Sequence, residues 1–204
     1  MPNVLNRKGD RFLGEQFQTS KGYLVVDSFE NVVVPADTGI LVATAQPSSG
    51  ATVVTTGITN PVTPRTVRIK GNQASCTGDV IVVGTDIRGG AITDTIAAAG
   101  TSAVAGTRAF KTITSITIPT RGAPSDTISL GPGPAVGRSR AMPTDLGIGG
   151  TMDGVFEATR PTFGSSATVI SLNTVSFNTA FNGARDYKVS YVSTEFYGGN
   201  VETL

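Results

Sequence analysis

Between residues 46 and 135 the chain repeats one device, a short run of Val, Ile and Thr followed by a turn. The runs ATVVTTG, RTVRIKG, DVIVVGTD, AITDTIA, FKTITSITIP and DTISLG recur at a spacing of about ten residues, and TNPVTP, TGD, RGG and RGAPSD punctuate them. Runs this short cannot be core helices, and β-branched residues favour a pleated strand. The pattern predicts an all-β sandwich or barrel. In RTVRIKG, Val67 and Ile69 share one face, and Thr66, Arg68 and Lys70 share the other, which predicts one buried and one wet sheet face. DVIVVG is apolar on both faces and is placed centrally. The alternation slips by one between Ile113 and Ile116, which predicts a bulge.

The flanks differ in texture. Residues 1–45 read as an N-terminal arm with short strands: RKGDRFLGEQFQTSKG mixes charge, Gly and isolated aromatics, and YLVVDSFENVVVPADTGILVATAQ holds two or three strand-like runs. Residues 46–204 read as the β-sandwich domain, with a Gly/Pro-rich connection near 131–150. There GPGPAVG is expected to be a stiff connector. Ala-rich IAAAGTSAVAG, interrupted by two glycines, reads as a loop. In RDYKVSYV, Tyr187, Val189 and Tyr191 lie opposite Lys188 and Ser190, which predicts a closing strand.

Composition removes several function classes. Lys plus Arg number 16 and Asp plus Glu 15, so there is no basic footprint for nucleic acid or an anionic membrane. The chain has no His and one Cys, which removes His-based triads, His-containing zinc sites and an internal disulfide. Cys76 reads as a small residue beside a turn. MPNVLNRKGD lacks the apolar stretch of a secretory signal, and no apolar run has membrane-helix length. The expectation is a protein made in a cytosol that stays soluble until assembled.

Motif by motif, the chemistry is thin. The prolines of GPGPAVG remove amide donors that a phosphate loop needs. In GTDIRGG, Asp86 sits too far from Asp79 and Asp94 for a calcium loop, and a hairpin turn through Arg88, Gly89 and Gly90 is expected. Arg138, Arg140 and Arg160 read as a solvated or interface-facing set of charges. DGVFEATRPTF carries Phe156 and Phe163, and the sequence does not separate a core strand from a contact surface there. No cofactor and no metal are expected. A sugar-binding module, leaning on Tyr187 or Tyr191, is a weaker reading because the chain has no Trp.

Several segments together resemble small structural proteins of tailed bacteriophages: TNP…PR, TGDVIVVGTDIRGGAITDTI, AFKTITSITIP, SDTISLGPG, MDGVFEATRPT and VISLNTVSFNTAFNGARDYKVSYV. They span Thr59 to Val192 in order. The resemblance implies a β-sandwich or jelly-roll-like fold, here with an extended N-terminal arm. It implies a non-enzymatic capsid decoration, or cement, protein on the outside of a virion head, or alternatively a tail or head-to-tail connector component. The implied partners are the major capsid protein and other copies of the chain, as a homo-oligomer such as a trimer, without nucleic acid or membrane. Clamping needs rigid sheets and contact area rather than a nucleophile, and an arm can add a strand to a neighbour's sheet edge. Partner-binding residues are expected at Arg11, Phe12, Phe17 and Tyr23. Residues 1 to about 30 are expected to be disordered or swapped in the free protein and ordered against neighbours.

Overall fold

The computed structural model describes residues 22–193 and is all-β and sandwich-like. Fourteen strands follow in chain order: β1 Tyr23–Phe29, β2 Leu41–Ala45, β3 Thr52–Val54, β4 Arg65–Gly71, β5 Thr77–Thr85, β6 Ala91–Ala99, β7 Val104–Ala105, β8 Thr112–Ile118, β9 Thr127–Gly137, β10 Gly147–Met152, β11 Val155–Phe156, β12 Thr162–Phe163, β13 Thr174–Ser176 and β14 Tyr187–Ser193. They form three sheets, ordered β3-β8-β5-β6, β12-β13-β9-β4-β7 with β2 also on β9, and β1-β14-β10-β11. Every strand pairing is antiparallel.

The central strands follow from the alternation. β5 lies between β6 and β8, as its two-sided apolar character requires. In β8 the register steps from Ser115 opposite Val83 to Ile113 opposite Gly84, so Thr114 is the extra residue of a bulge. Gly84 is needed there, because a Cβ would sit 2.0 Å from the Thr112 carbonyl oxygen. The β5–β6 hairpin turns through Gly89, and the Asp86 carboxylate accepts the N–H groups of Arg88 and Gly90 at 2.8 and 2.9 Å. Cys76 is buried beside a turn.

Two expectations are corrected. GPGPAVG is not a connector but the second half of β9, the longest strand. Its glycines admit close neighbours: a Cβ on Gly131 would lie 2.0 Å from the Ala36 carbonyl oxygen, and one on Gly133 2.5 Å from Thr66 Oγ1. Its prolines fall where the ladder is irregular, with Pro132 opposite Val67 and the register shifting between Val67 and Arg65. IAAAGTSAVAG is likewise not all loop, since its first four residues end β6 and Val104 and Ala105 form β7.

β9 joins two cores. Its first half contributes Ile128 and Leu130 to an aliphatic core with Val67 and Ile69 of β4, Val80 and Val82 of β5, Ile92 and Ile96 of β6, and Ile113, Ile116 and Ile118 of β8. Its second half contributes Val136 to an aromatic core with Phe29, Met142, Phe163, Phe181, Tyr187, Val189 and Tyr191. β14 closes this second core as expected, its Tyr187, Val189 and Tyr191 inward and Lys188 exposed. The face of β4 predicted to be wet is partly roofed. Thr66 is buried and bonded to Ala135, while Arg68 and Lys70 bind Asp37 of the preceding segment.

Candidate interaction surface

β1 alternates strictly, with Leu24, Val26 and Ser28 outward and Val25, Asp27 and Phe29 toward the aromatic core. Register carries the outward side chains across the sheet. Leu24 faces Val192, Val26 faces Ser190 and Ser28 faces Lys188 on β14. On β10, Gly149 lies opposite Ser190 and Thr151 opposite Lys188, and Phe156 of β11 lies opposite Thr151. Leu24 (67% exposed), Val26, Ile148 and Phe156 (79%) thus share an open sheet face with a single charge, Lys188, in these rows. The β10–β11 hairpin turns at Asp153 and Gly154, both with positive φ, and projects Val155 and Phe156. Aspartate followed by glycine is the residue pair that such a tight turn favours.

At the far end of β1 a cleft of about 280 Å³ opens, lined by the consecutive residues Asp27, Ser28, Phe29 and Glu30 and, across from them, by Val62, Pro64 and Ile87. Asp27 is a clamp within it. Its carboxylate accepts Ser139 Oγ–H at 2.6 Å, the Ser139 N–H at 2.9 Å and the Tyr191 hydroxyl at 2.9 Å, which ties β1 to the segment following β9. Burial pushes the Tyr191 phenol well above its usual range, and the neighbouring Asp27 charge adds to this.

Two arginines stand behind this surface. Arg138 is fully buried inside the chain, so it is not the solvated or interface-facing charge expected from sequence. Its guanidinium donates to the Gly164 carbonyl at 2.5 Å and the Thr174 carbonyl at 3.3 Å and packs over the rings of Tyr191 and Phe163. Aromatic faces and carbonyls replace a carboxylate partner, which sequence spacing could not reveal. Arg65 is held similarly by the carbonyls of Gly133 and Val33, over Phe181, and burial brings its guanidinium down to about 10. Arg160 remains at the surface, paired with Asp145.

The expected partner-binding residues divide. Arg11, Phe12 and Phe17 lie outside the described residues. Tyr23 opens β1 opposite Ser193, half-buried. Of the stretch 1–30 expected to order only against neighbours, Tyr23–Phe29 instead form β1 within the chain's own sheet. Phe156 and Phe163, which sequence left together, separate: the first is exposed and the second buried. Tyr187 and Tyr191 are both fully buried, so neither can be a sugar platform. Sequence reasoning missed Leu24, Val26 and Ile148; the signal for the first two was YLVV, apolar on both faces in a strand that turns out to be an edge. Among the described residues no group of three or more His, Cys, Asp or Glu is placed to hold a metal, and no helix is long and apolar enough to cross a membrane.

No family model, curated protein or solved structure matches this chain.

Proposed function

We propose that this chain is a capsid decoration protein of a tailed bacteriophage, seated on the outside of the head and binding the major capsid protein and further copies of itself. The observation that carries the reading is the open, nearly uncharged face of the β1-β14-β10-β11 sheet, where Leu24, Val26, Ile148 and Phe156 project from paired strands. Exposed apolar side chains gathered on one face mark an interaction site more often than ones scattered singly do. A face built on paired strands loses little conformational entropy when covered. Contacts that exist only in the assembled shell stabilise it by mass action. The segment resemblance supplies the particle, and the sheet face supplies a means of attachment.

The test is the copy number of this chain in purified virions, measured by quantitative mass spectrometry against the major capsid protein. A ratio near one to one is expected. A ratio of a few per cent overturns the decoration role in favour of a tail or connector component. Absence from the particle overturns both.

A further inference from the structure

Sheet edges expose unpaired backbone groups, and proteins blunt them by shortening, bulging or covering them. Most edges here are blunted. β7, β11 and β12 have two residues each and β3 has three. β2 carries a register shift against β9. β6 is long and ends its sheet; residues 104–108 meet its inner face, where Asp94 accepts the N–H groups of Thr107 and Arg108 at 2.9 and 3.1 Å and a Cβ on Gly106 would lie 2.3 Å from that carboxylate. Beyond β11 the edge of β10 is capped, with Glu157 N–H on the Gly150 carbonyl and Arg160 Nε on that of Gly147.

β1 is the long edge that also borders a cleft, with Asp27 tied to Ser139 there. It has seven residues, no proline and an unbroken register with β14, and no described strand pairs with its other side. The cleft lies along its end. Successive strand side chains point to opposite faces, so the joint lining by Asp27, Ser28 and Phe29, with Glu30 just beyond the strand, sets the backbone at the end of β1 against the cleft. The rest of the lining includes apolar Val62, 88% exposed, with Pro64 and Ile87, beside polar Thr63 and Ser139. A volume of about 280 Å³ falls just below the roughly 300 Å³ where small-molecule sites begin, and suits one or two side chains of a strand laid along the edge.

We propose that this cleft and the open edge of β1 receive residues 1–21 of a second copy of the chain, which adds a strand to the sheet. Length and direction favour this occupant. Twenty-one extended residues reach roughly 70 Å, ample to cross to a neighbour. The chain's own first 21 residues leave from the Tyr23 end of β1 and must double back along the strand to reach the cleft at the Glu30 end, whereas a strand from another copy can enter directly. The chemistry agrees. The segment carries Phe12, Leu13 and Phe17 for the apolar part of the lining, and Arg7, Lys8 and Arg11 for Glu30, an exposed carboxylate with no ion pair among the described residues. The bases at the rim are engaged: Arg88 donates to the Ser139 carbonyl and Lys111 to that of Val62. The inference rests on the decoration reading only in that copies must lie side by side.

The test uses the full-length chain with p-benzoylphenylalanine at position 62, unlabelled and nitrogen-15-labelled protein being mixed and irradiated at high concentration. Cross-links from position 62 into residues 1–21 are expected, including mixed-label pairs. Cross-links confined to one label place the chain's own segment in the cleft and overturn the proposal, as does a monomer yielding no mixed-label pair. Glu30→Lys, on an exposed side chain, should keep the circular-dichroism spectrum and weaken self-association about tenfold by sedimentation equilibrium; unchanged association overturns the charge contact. Neither measurement involves virions, so a failed stoichiometry and a failed strand exchange are told apart.

Discussion

Around β5 and β8 the molecule buries Ile, Val and Leu; around β14 it buries Phe and Tyr with two arginines among them. The first region is specified by alternation, and its side chains need only fit. The second also relies on polar geometry: Arg138 donates to the carbonyls of Gly164 and Thr174 and Arg65 to that of Gly133, and their planes lie over rings. Regular strand ladders satisfy the backbone in the aliphatic half. In the aromatic half buried guanidiniums add further donors, to the Gly164 carbonyl and to that of Thr174, which also accepts the Gly164 N–H. The region that carries the exposed face is therefore held by buried side-chain bonds as well as by its ladders.

Truncation should separate the two most sharply. Arg138→Ala leaves the carbonyls of Gly164 and Thr174 without that donor and opens a hole between Tyr191 and Phe163, at a cost of about 4 kcal/mol in urea unfolding. Arg138→Met, which fills the hole without donating, should cost about 2 kcal/mol; a Met variant more stable than the parent would mean that desolvating the guanidinium outweighs its bonds. Ile116→Ala in the aliphatic core should cost about 3 kcal/mol. The double variant should cost the sum within about 0.5 kcal/mol if the two cores are independent, and a larger departure would show that β9 couples them.

Alkali should distinguish the halves more gently. Tyr191 keeps its proton in the folded state well above the usual range because it is buried. In the unfolded chain a tyrosine ionises near 10, so above that pH the folded state binds more protons and stability falls as pH rises. Arg65 acts oppositely: its folded value of about 10 lies below the unfolded one, so in the same window the unfolded chain holds the extra proton and stability rises. Tyr191→Phe removes only the first effect. It should lower stability at neutral pH by about 1 kcal/mol through the lost bond to Asp27 and make the decline above about pH 10 shallower, as read from urea midpoints.

Legibility followed the same division. The strands β4, β5, β6 and β8, the centrality of β5, the bulge at Thr114 and the turn at Asp86 all follow from periodicity and turn residues, because each is a local property. Tyr187, Val189 and Tyr191 were readable as one face, but not the guanidinium beneath Tyr191, since Arg138 is 53 positions away in the chain. GPGPAVG misled because its glycines record the close approach of Ala36 and Thr66, a tertiary fact, in the same letters that write a flexible connector. The exposed face was unreadable for a related reason. YLVV looks like any buried strand until topology puts it at an edge.

The smallest effect on stability should accompany the largest effect on attachment, at Phe156. The ring is 79% exposed on a two-residue strand beyond an Asp-Gly turn, with Thr151 as its partner across the ladder. Phe156→Ser removes little buried surface, so unfolding should shift by no more than about 0.5 kcal/mol. If the outer face is the seat of contact, the same change removes an aromatic anchor from its far end, and such anchors carry a disproportionate share of interface energy. Occupancy on particles lacking the native chain, titrated with purified variant, should then require at least about tenfold more protein. Unchanged occupancy would mean that this face looks outward from the particle. Attachment would then lie elsewhere on the molecule, and the contrast between an aromatic half that binds and an aliphatic half that supports would fail.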